Sequence, residues 1–390
     1  MNRVLLLAWR YVAYHKVKTA ILTIGLTLTF VLPLTATLLI RHYGDALLHR
    51  ARATPLVLGV KGNRFDLVLK ALYFSAAPVD DVTMADVSAI RDSGYGLPIP
   101  LHLEYTARGT HPIVGTTLDY FEFRGLHPQR GKMPMTLGEA VLGATAAEQL
   151  GLGPGDALFS DQRSLYDITR TYPLKMHIIG VLAKTDSPDD NAVFVDIKTA
   201  WIIAGITHGH QDVSATSNPA IVLQRSDDEV VTNAAIVEYN EVTPQNLHTF
   251  HTHAPEDKLP VTAVLVVPND AKGATILKGR YSVSETRQLL VPEEVVTDLM
   301  GLVFQVKRFF DASFALVTVA TLLFLILVML LSRALRRREM ETMFKIGCSR
   351  RMTFWLQLGE LGIVLALSII SAGILAGAAL LVAPLFLHWL

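Results

Sequence analysis

The chain has 390 residues, of which 51% are hydrophobic and 18% charged. That is too apolar for an ordinary soluble chain and too polar for a bundle lying wholly within a membrane. Its 35 basic and 35 acidic residues cancel, so net charge points to no class of partner, and no nucleic-acid partner is expected.

Residues 1–18 carry Leu5, Trp9, Val12 and Ala13 at helical spacing, with Arg3 and Arg10 elsewhere on the wheel. This predicts a cytoplasmic amphipathic elbow helix in the headgroup layer, or a plain extension of the apolar run that follows. Residues 19–41 are long enough to cross a ~30 Å hydrocarbon core and form the first predicted span. The apolar stretch is longer than that of a signal peptide and no small-x-small cleavage site follows, so an uncleaved anchor is expected. Thr23 and Thr27 share a face suited to close helix packing, and Pro33 should bend the outer end.

Residues 42–308 have a globular composition and can bury a core of their own, as one or two domains. The helix is expected to continue through Ala46–Arg52 until Pro55 stops it. Strands are predicted at Leu56–Val60, Ile113–Gly115, Leu174–Leu182, Ala192–Asp196, Ala220–Gln224 and Val261–Val267. Helices are predicted at Phe65–Tyr73, at Val82–Ser93 with Asp81 or Thr83 near its N-cap, after Ile113–Gly115, and at the alanine-rich Ala140–Leu150, which Gly151 ends. Asp186, Asp189 and Asp190 around Pro188 read as residues that cap and turn a loop rather than as an acid–base pair. Val291–Phe310 reads as one helix running unbroken into the next apolar run. The outer domain is therefore mixed α/β with stalk helices.

Two further spans are predicted at residues 309–332 and 354–381, with an outer interfacial tail at 382–390. An alternative for the last run is one crossing plus a re-entrant half-helix. Between the spans, residues 333–353 form a connector in which 333–351 hold seven basic residues against Glu339 and Glu341. Arg3, Arg10, Lys16 and Lys18 precede the first span without an acid. The positive-inside rule then places the N-terminus and the connector in the cytoplasm and the large domain outside. The lone cysteine, Cys348, falls in the connector, so the outer domain has no disulfide. Glu360 sits about two turns inside the cytoplasmic face, where an ionisable side chain is costly unless paired or wet. Its expected role is to orient the elbow and the bundle, with a proton path as the alternative.

The connector predicts a short helix from Arg336, with Met340, Met343 and Phe344 on one side and an i,i+4 pair between Glu341 and Lys345. Gly347 can end it in the left-handed region, and Ser349 can cap the next helix. An elbow with an apolar knob and a charged collar suits docking into a groove on a soluble partner; a basic loop that only sets topology is the plainer reading.

The run Arg338-Glu339-Met340-x-x-Met343-Phe344-Lys345-Ile346-Gly347-Cys348-Ser349-Arg350-Arg351, followed by Glu360, resembles the signature between the second and third spans of MacB/FtsX-type permeases. These include the LolC/LolE and DevC groups. Ala8-Trp9-Arg10-Tyr11 with Lys16–Thr23 resembles that family's N-terminal elbow. Gly115-Thr116-Thr117-x-x-Tyr120-Phe121, Glu139-Ala140-Val141-Leu142-Gly143, Leu150–Asp156 and Ser187-Pro188-Asp189-Asp190 resemble its periplasmic core domain. The resemblance implies α-helical spans with a MacB-type α/β periplasmic domain inserted between the first two. It implies a permease subunit of an ABC transporter in a bacterial inner membrane, working by mechanotransmission (type VII). Implied partners are a cytoplasmic ABC ATPase dimer, a second permease copy, membrane lipid and a periplasmic adaptor or substrate protein. Implied coupling residues are Arg338, Glu339, Met343, Phe344, Lys345, Gly347 and Ser349. The family has four spans; three are predicted here, which implies a three-span variant or a last run that folds back. No GxxxxGK[ST] loop occurs, so ATP is expected to be hydrolysed by another chain.

A second constellation is histidine. His248, His251 and His253 form HxxHxH, with His208, His210 and Asp212 some forty residues earlier. Imidazoles two and three apart on an extended segment can converge on Zn²⁺. No established ligand spacing is matched, and a polar exposed loop is the plainer reading. The histidines support a rival function, a membrane-anchored periplasmic metal-binding receptor or enzyme, which leaves the connector unexplained.

Overall fold

The structure, a computed structural model, describes residues 2–133, 135–161, 173–210, 222–225, 230–232, 239–335, 337–345, 347 and 349–387. In chain order the elements are α1 (Asn2–Tyr14), α2 (Lys16–Arg52), β1 (Leu56–Val60), α3 (Arg64–Tyr73), β2 (Val82–Thr83), α4 (Met84–Ser93), β3 (Gly96–Ala107), β4 (His111–Thr116), α5 (Leu118–Arg124), β5 (Pro128–Gly131), β6 (Glu139–Leu142), α6 (Ala144–Leu150), β7 (Ala157–Phe159), β8 (Lys175–Leu182), β9 (Val193–Asp196) and α7 (Ile197–Ile203). They continue with β10 (Thr207–Gly209), β11 (Val222–Arg225), β12 (Val230–Thr232), β13 (Phe250–Thr252), β14 (Pro260–Val261), β15 (Ala263–Pro268), α8 (Ala271–Ser282), β16 (Arg287–Leu290), α9 (Pro292–Leu335), α10 (Arg337–Lys345) and α11 (Arg350–Leu387). The chain divides into two compact units, one of residues 1–48 and 298–390, the other of 49–297.

The first unit is helical. Three helices, α2, α9 and α11, are long and apolar enough to cross a membrane, and most of their apolar side chains face outward, as lipid-facing residues do. Leu26, Leu325 and Val364 form a small buried seam between them. Thr27 is buried and donates to the Thr23 carbonyl at 2.7 Å, and Ser368 on α11 donates to that same carbonyl at 3.2 Å. The threonine face expected to pack closely therefore meets a serine of α11, as small polar residues do in helix seams. α1 is a separate helix, broken from α2 at His15, and lies on α11 with Ala8 and Val12 buried while Leu5, Leu6 and Trp9 stay exposed. The last apolar run is one 38-residue helix through Leu387, so the described residues contain no half-helix turning back.

The second unit is built on one ten-stranded mixed sheet in the order β16-β1-β15-β3-β4-β9-β6-β8-β5, with β7 also on β8. β4–β9 and β6–β8 are parallel; the other pairs are antiparallel. One core packs around β4, β6, β8 and β9, a second around β1 and β15 with α4 and α8. Helix α7 serves both: Ala200, Ile202 and Ile203 point into the first, Trp201 into the second, where its indole donates to the Pro260 carbonyl at 2.9 Å.

Four local expectations change. Ala140–Leu150 is not one helix: Glu139–Leu142 is strand β6, and the helix starts only at Ala144. Ala140, Val141 and Leu142 are all buried, because β6 lies between β8 and β9 inside the sheet. A strand covered on both faces loses its alternation and reads like a helix segment. Val82 and Thr83 pair with β14 instead of starting α4, whose N-cap is Thr83 in a capping box with Asp86. The run Val261–Val267 breaks at Thr262, whose hydroxyl accepts from the Leu103 amide at 3.0 Å. In the connector Glu341 lies against Arg337, at 3.5 Å, rather than pairing with Lys345.

Candidate functional site

The connector helix α10 is short and carries Arg337, Arg338, Glu341 and Lys345 on its exposed surface, together with Phe344, 48% exposed. The side chains of Glu339 and Met343, and residue Cys348, lie outside what the structure describes. The helix ends as its sequence demands. The Gly347 amide donates to the Phe344 carbonyl at 3.1 Å, and Gly347 has φ +95°, a conformation that glycine tolerates at a helix end. Ser349 then opens α11, its hydroxyl accepting from the Met352 amide at 3.3 Å. Glu360 lies ten residues into α11 on a cleft whose polar lining is Tyr11, His15, Lys18, Thr19, Ser332 and Gln357 and whose other side chains, Leu325 and Met329 among them, are apolar. Across that cleft Lys18 donates to the Ser332 hydroxyl at 2.9 Å. Helices α1, α2, α9 and α11 thus all line this one cleft.

In the second unit, His208 on β10 and His251 on β13 stand opposite one another in an antiparallel pair. His210 and His253 lie two residues on, so all four belong to one face of the ribbon. Ring centroids are 4.9 Å apart for His208–His251, 5.0 Å for His210–His251, 5.1 Å for His208–His253 and 4.8 Å for His251–His253. One ligating nitrogen from each of His208, His210 and His251 lies within 4.8 Å of the others. These three are half-buried, not exposed as the loop-like flanks suggest, while His253 and His248 are exposed. His248 sits on a single 3-10 turn, Leu247–Thr249, outside the group, and Asp212 lies outside the described residues.

A third constellation escaped the sequence reading. Arg50, in the last turn of α2, forms a two-pronged ion pair with Asp189 at 2.7 and 2.9 Å. Tyr120 closes it, donating to the same carboxylate at 2.6 Å and accepting from Arg50 at 3.0 Å. The Arg50 Nε donates to the Leu72 carbonyl. All three side chains are buried. Burial pushes the Asp189 carboxyl up, but Arg50 and the Tyr120 hydroxyl outweigh it and hold it below the usual carboxylate value. Burial and the Asp189 charge together raise the Tyr120 phenol. Asp189 is delivered by the turn Pro188–Asn191, while its neighbour Asp190 accepts from the Thr185 amide at 2.9 Å, the loop-capping role expected of it. The signals were in the sequence, an arginine at the end of an apolar helix and a Ser-Pro-Asp-Asp turn, but nothing along the chain ties residue 50 to residue 189.

Three helices long and apolar enough to cross a membrane flank a mixed α/β domain in the sequence. Residues 61–238 match the family model of the MacB-like periplasmic core domain. The matched residues lie in sequence between α2 and α9, the first two helices long and apolar enough to cross a membrane. Among solved structures, the periplasmic region of MacB from Actinobacillus actinomycetemcomitans is 10% identical over 65% of this chain and 97% of that one, with a TM-score of 0.37. The extracellular domain of the noncanonic ABC-type transporter YknZ from Gram-positive bacteria is 14% identical over 60% of this chain and 98% of that one, with a TM-score of 0.33. No curated protein matches the chain.

Proposed function

We propose that this chain is the membrane subunit of an ABC-type complex in which a separate cytoplasmic ATPase docks on α10 and drives movement of the outer domain. The observation that carries the reading is the connector itself. It is a nine-residue charged helix with an exposed phenylalanine, bounded by Gly347 and by the Ser349 cap, joining two membrane-length helices. A loop that only set topology would need neither a formed helix nor an exposed apolar knob. The basic residues on α10 and ahead of α2 support a cytoplasmic N-terminus and connector, with the α/β domain periplasmic in a bacterial inner membrane. In this reading two copies pair, two ATPases bind, and Arg338, Glu339, Met343, Phe344, Lys345, Gly347 and Ser349 form the coupling surface. Glu360 orients the helices that line the cleft behind the elbow. ATP hydrolysis belongs to the partner.

The test is co-expression with an ATPase encoded beside this chain, followed by co-purification in detergent and measurement of ATP turnover. The wild-type chain should bind the ATPase and change its turnover. Phe344→Asp, Glu339→Lys and Gly347→Pro should each abolish that change while the outer domain keeps its melting temperature. Normal turnover control by all three variants would sink the coupling assignment.

A further inference from the structure

The β10–β13 ribbon has two faces of different character. On one face Gly209 lies against the Phe250 ring, so close that a Cβ at Gly209 would meet it at 2.8 Å, and Phe250 packs on the sheet core. Thr207 and Thr252 share a 2.7 Å hydroxyl contact on that same face. The period-two alternation of a strand then sends His208, His210, His251 and His253 together to the other face. Clustered imidazoles repel one another when protonated, so such a group gains most from a ligand that bonds neutral nitrogen.

We propose that His208, His210 and His251 form a binding site for a divalent first-row transition-metal ion, with Zn²⁺ as the ion to test and His253 placed to act as a fourth ligand. Nitrogens bound to one tetrahedral zinc at about 2.1 Å stand about 3.4 Å apart, so rings whose nitrogens lie within 4.8 Å close on an ion with shifts of about 1 Å. The backbone is already in place, because the ladder pairs His208 with His251 directly. One tautomer is set as well: the His251 Nδ1 lies 2.8 Å from the Thr249 carbonyl, an acceptor only, so Nδ1 carries the proton and Nε2 is left for the metal. An all-imidazole donor set suits zinc, copper or nickel and not calcium or magnesium, which take oxygen ligands. An ion there would tie β10 to β13, two segments some forty residues apart. The site stands independently of the coupling reading, since it uses no residue of the helical unit and needs no ATPase.

The experiment uses the full chain in detergent, stripped of metal with a chelator. Calorimetric titration with Zn²⁺ should show one ion per chain, and titration with Co²⁺ should give the strong visible absorption of a four-coordinate nitrogen site. His208→Gln with His251→Gln should weaken Zn²⁺ binding at least about tenfold, while His248→Gln, outside the group, should leave it within about twofold. Absence of Zn²⁺ binding, or affinity unchanged in the double variant, would overturn the proposal. If circular dichroism shows the double variant unfolded, the wild-type Co²⁺ spectrum decides: only weak six-coordinate absorption would overturn it.

Discussion

The Arg50 guanidinium and the Asp189 carboxylate meet in a buried, two-pronged ion pair, 139 residues apart in sequence. Both residues belong to the second unit, where the pair fastens residue 50 to the Ser187–Asn191 turn. A buried charge left without its partner costs more than the pair contributes when intact. Asp189→Asn or Arg50→Met should therefore destabilise the outer domain by about 3–5 kcal/mol, read as a lower thermal midpoint of the full chain in detergent. The double change Arg50→Met with Asp189→Leu should recover much of that loss. A double variant as unstable as the sum of the singles would show that the pair does not act as a unit.

The same pair sets an acid limit. Asp189 titrates below its ordinary 3.8, so its contribution is complete above that value and is lost as pH falls through the lower folded-state value. Tyr120 titrates above its ordinary 10.0, so it withdraws stability as pH rises past 10. Thermal midpoints measured from pH 3 to 7 should fall at the acid end for the wild type. The Arg50→Met, Asp189→Leu chain should lose that part of the slope.

Gly143 and Gly151 bound the same helix and should respond differently to alanine. A Cβ at Gly143 would lie 2.2 Å from the Asp189 carbonyl oxygen and 2.4 Å from that of Asp190, both backbone atoms that cannot step aside alone. Gly143→Ala should cost about 3 kcal/mol by displacing that turn. Gly151 has φ +66° and open space around it, so Gly151→Ala should cost about 1–2 kcal/mol from backbone strain alone. Comparable losses in denaturant titrations of the two variants would contradict the close approach at Gly143.

Ser368 is fully buried where α11 meets α2, with its hydroxyl on the Thr23 carbonyl. Ser368→Leu should force the helices apart and cost about 1–3 kcal/mol, while Ser368→Ala should be tolerated within about 1 kcal/mol. Resistance of the purified chain to SDS denaturation would rank the two variants against wild type, and equal resistance would place Ser368 outside the seam.

Sequence alone determined the elements whose signals are local. Leu56–Val60 is the predicted strand to the residue, Arg52 ends α2 as Pro55 requires, and the connector helix is bounded by Gly347, which without a side chain tolerates φ +95°, and by the Ser349 hydroxyl cap. The three membrane-length helices follow from uninterrupted apolar length, and the MacB-like domain from short motifs met in order. Tertiary structure decided what depends on neighbours distant in the chain. Strand β6 was hidden because burial on both faces erases the alternation that marks a strand. The four histidines were visible as letters, but only the pairing of β10 with β13 puts them on one face, since a one-residue slip would send one pair to the core. Arg50 and the Ser-Pro-Asp-Asp turn were each visible in the sequence, but their pairing was not: a long-range ion pair leaves no period along the chain, and only the fold that brings the end of α2 to the Ser187–Asn191 turn creates it.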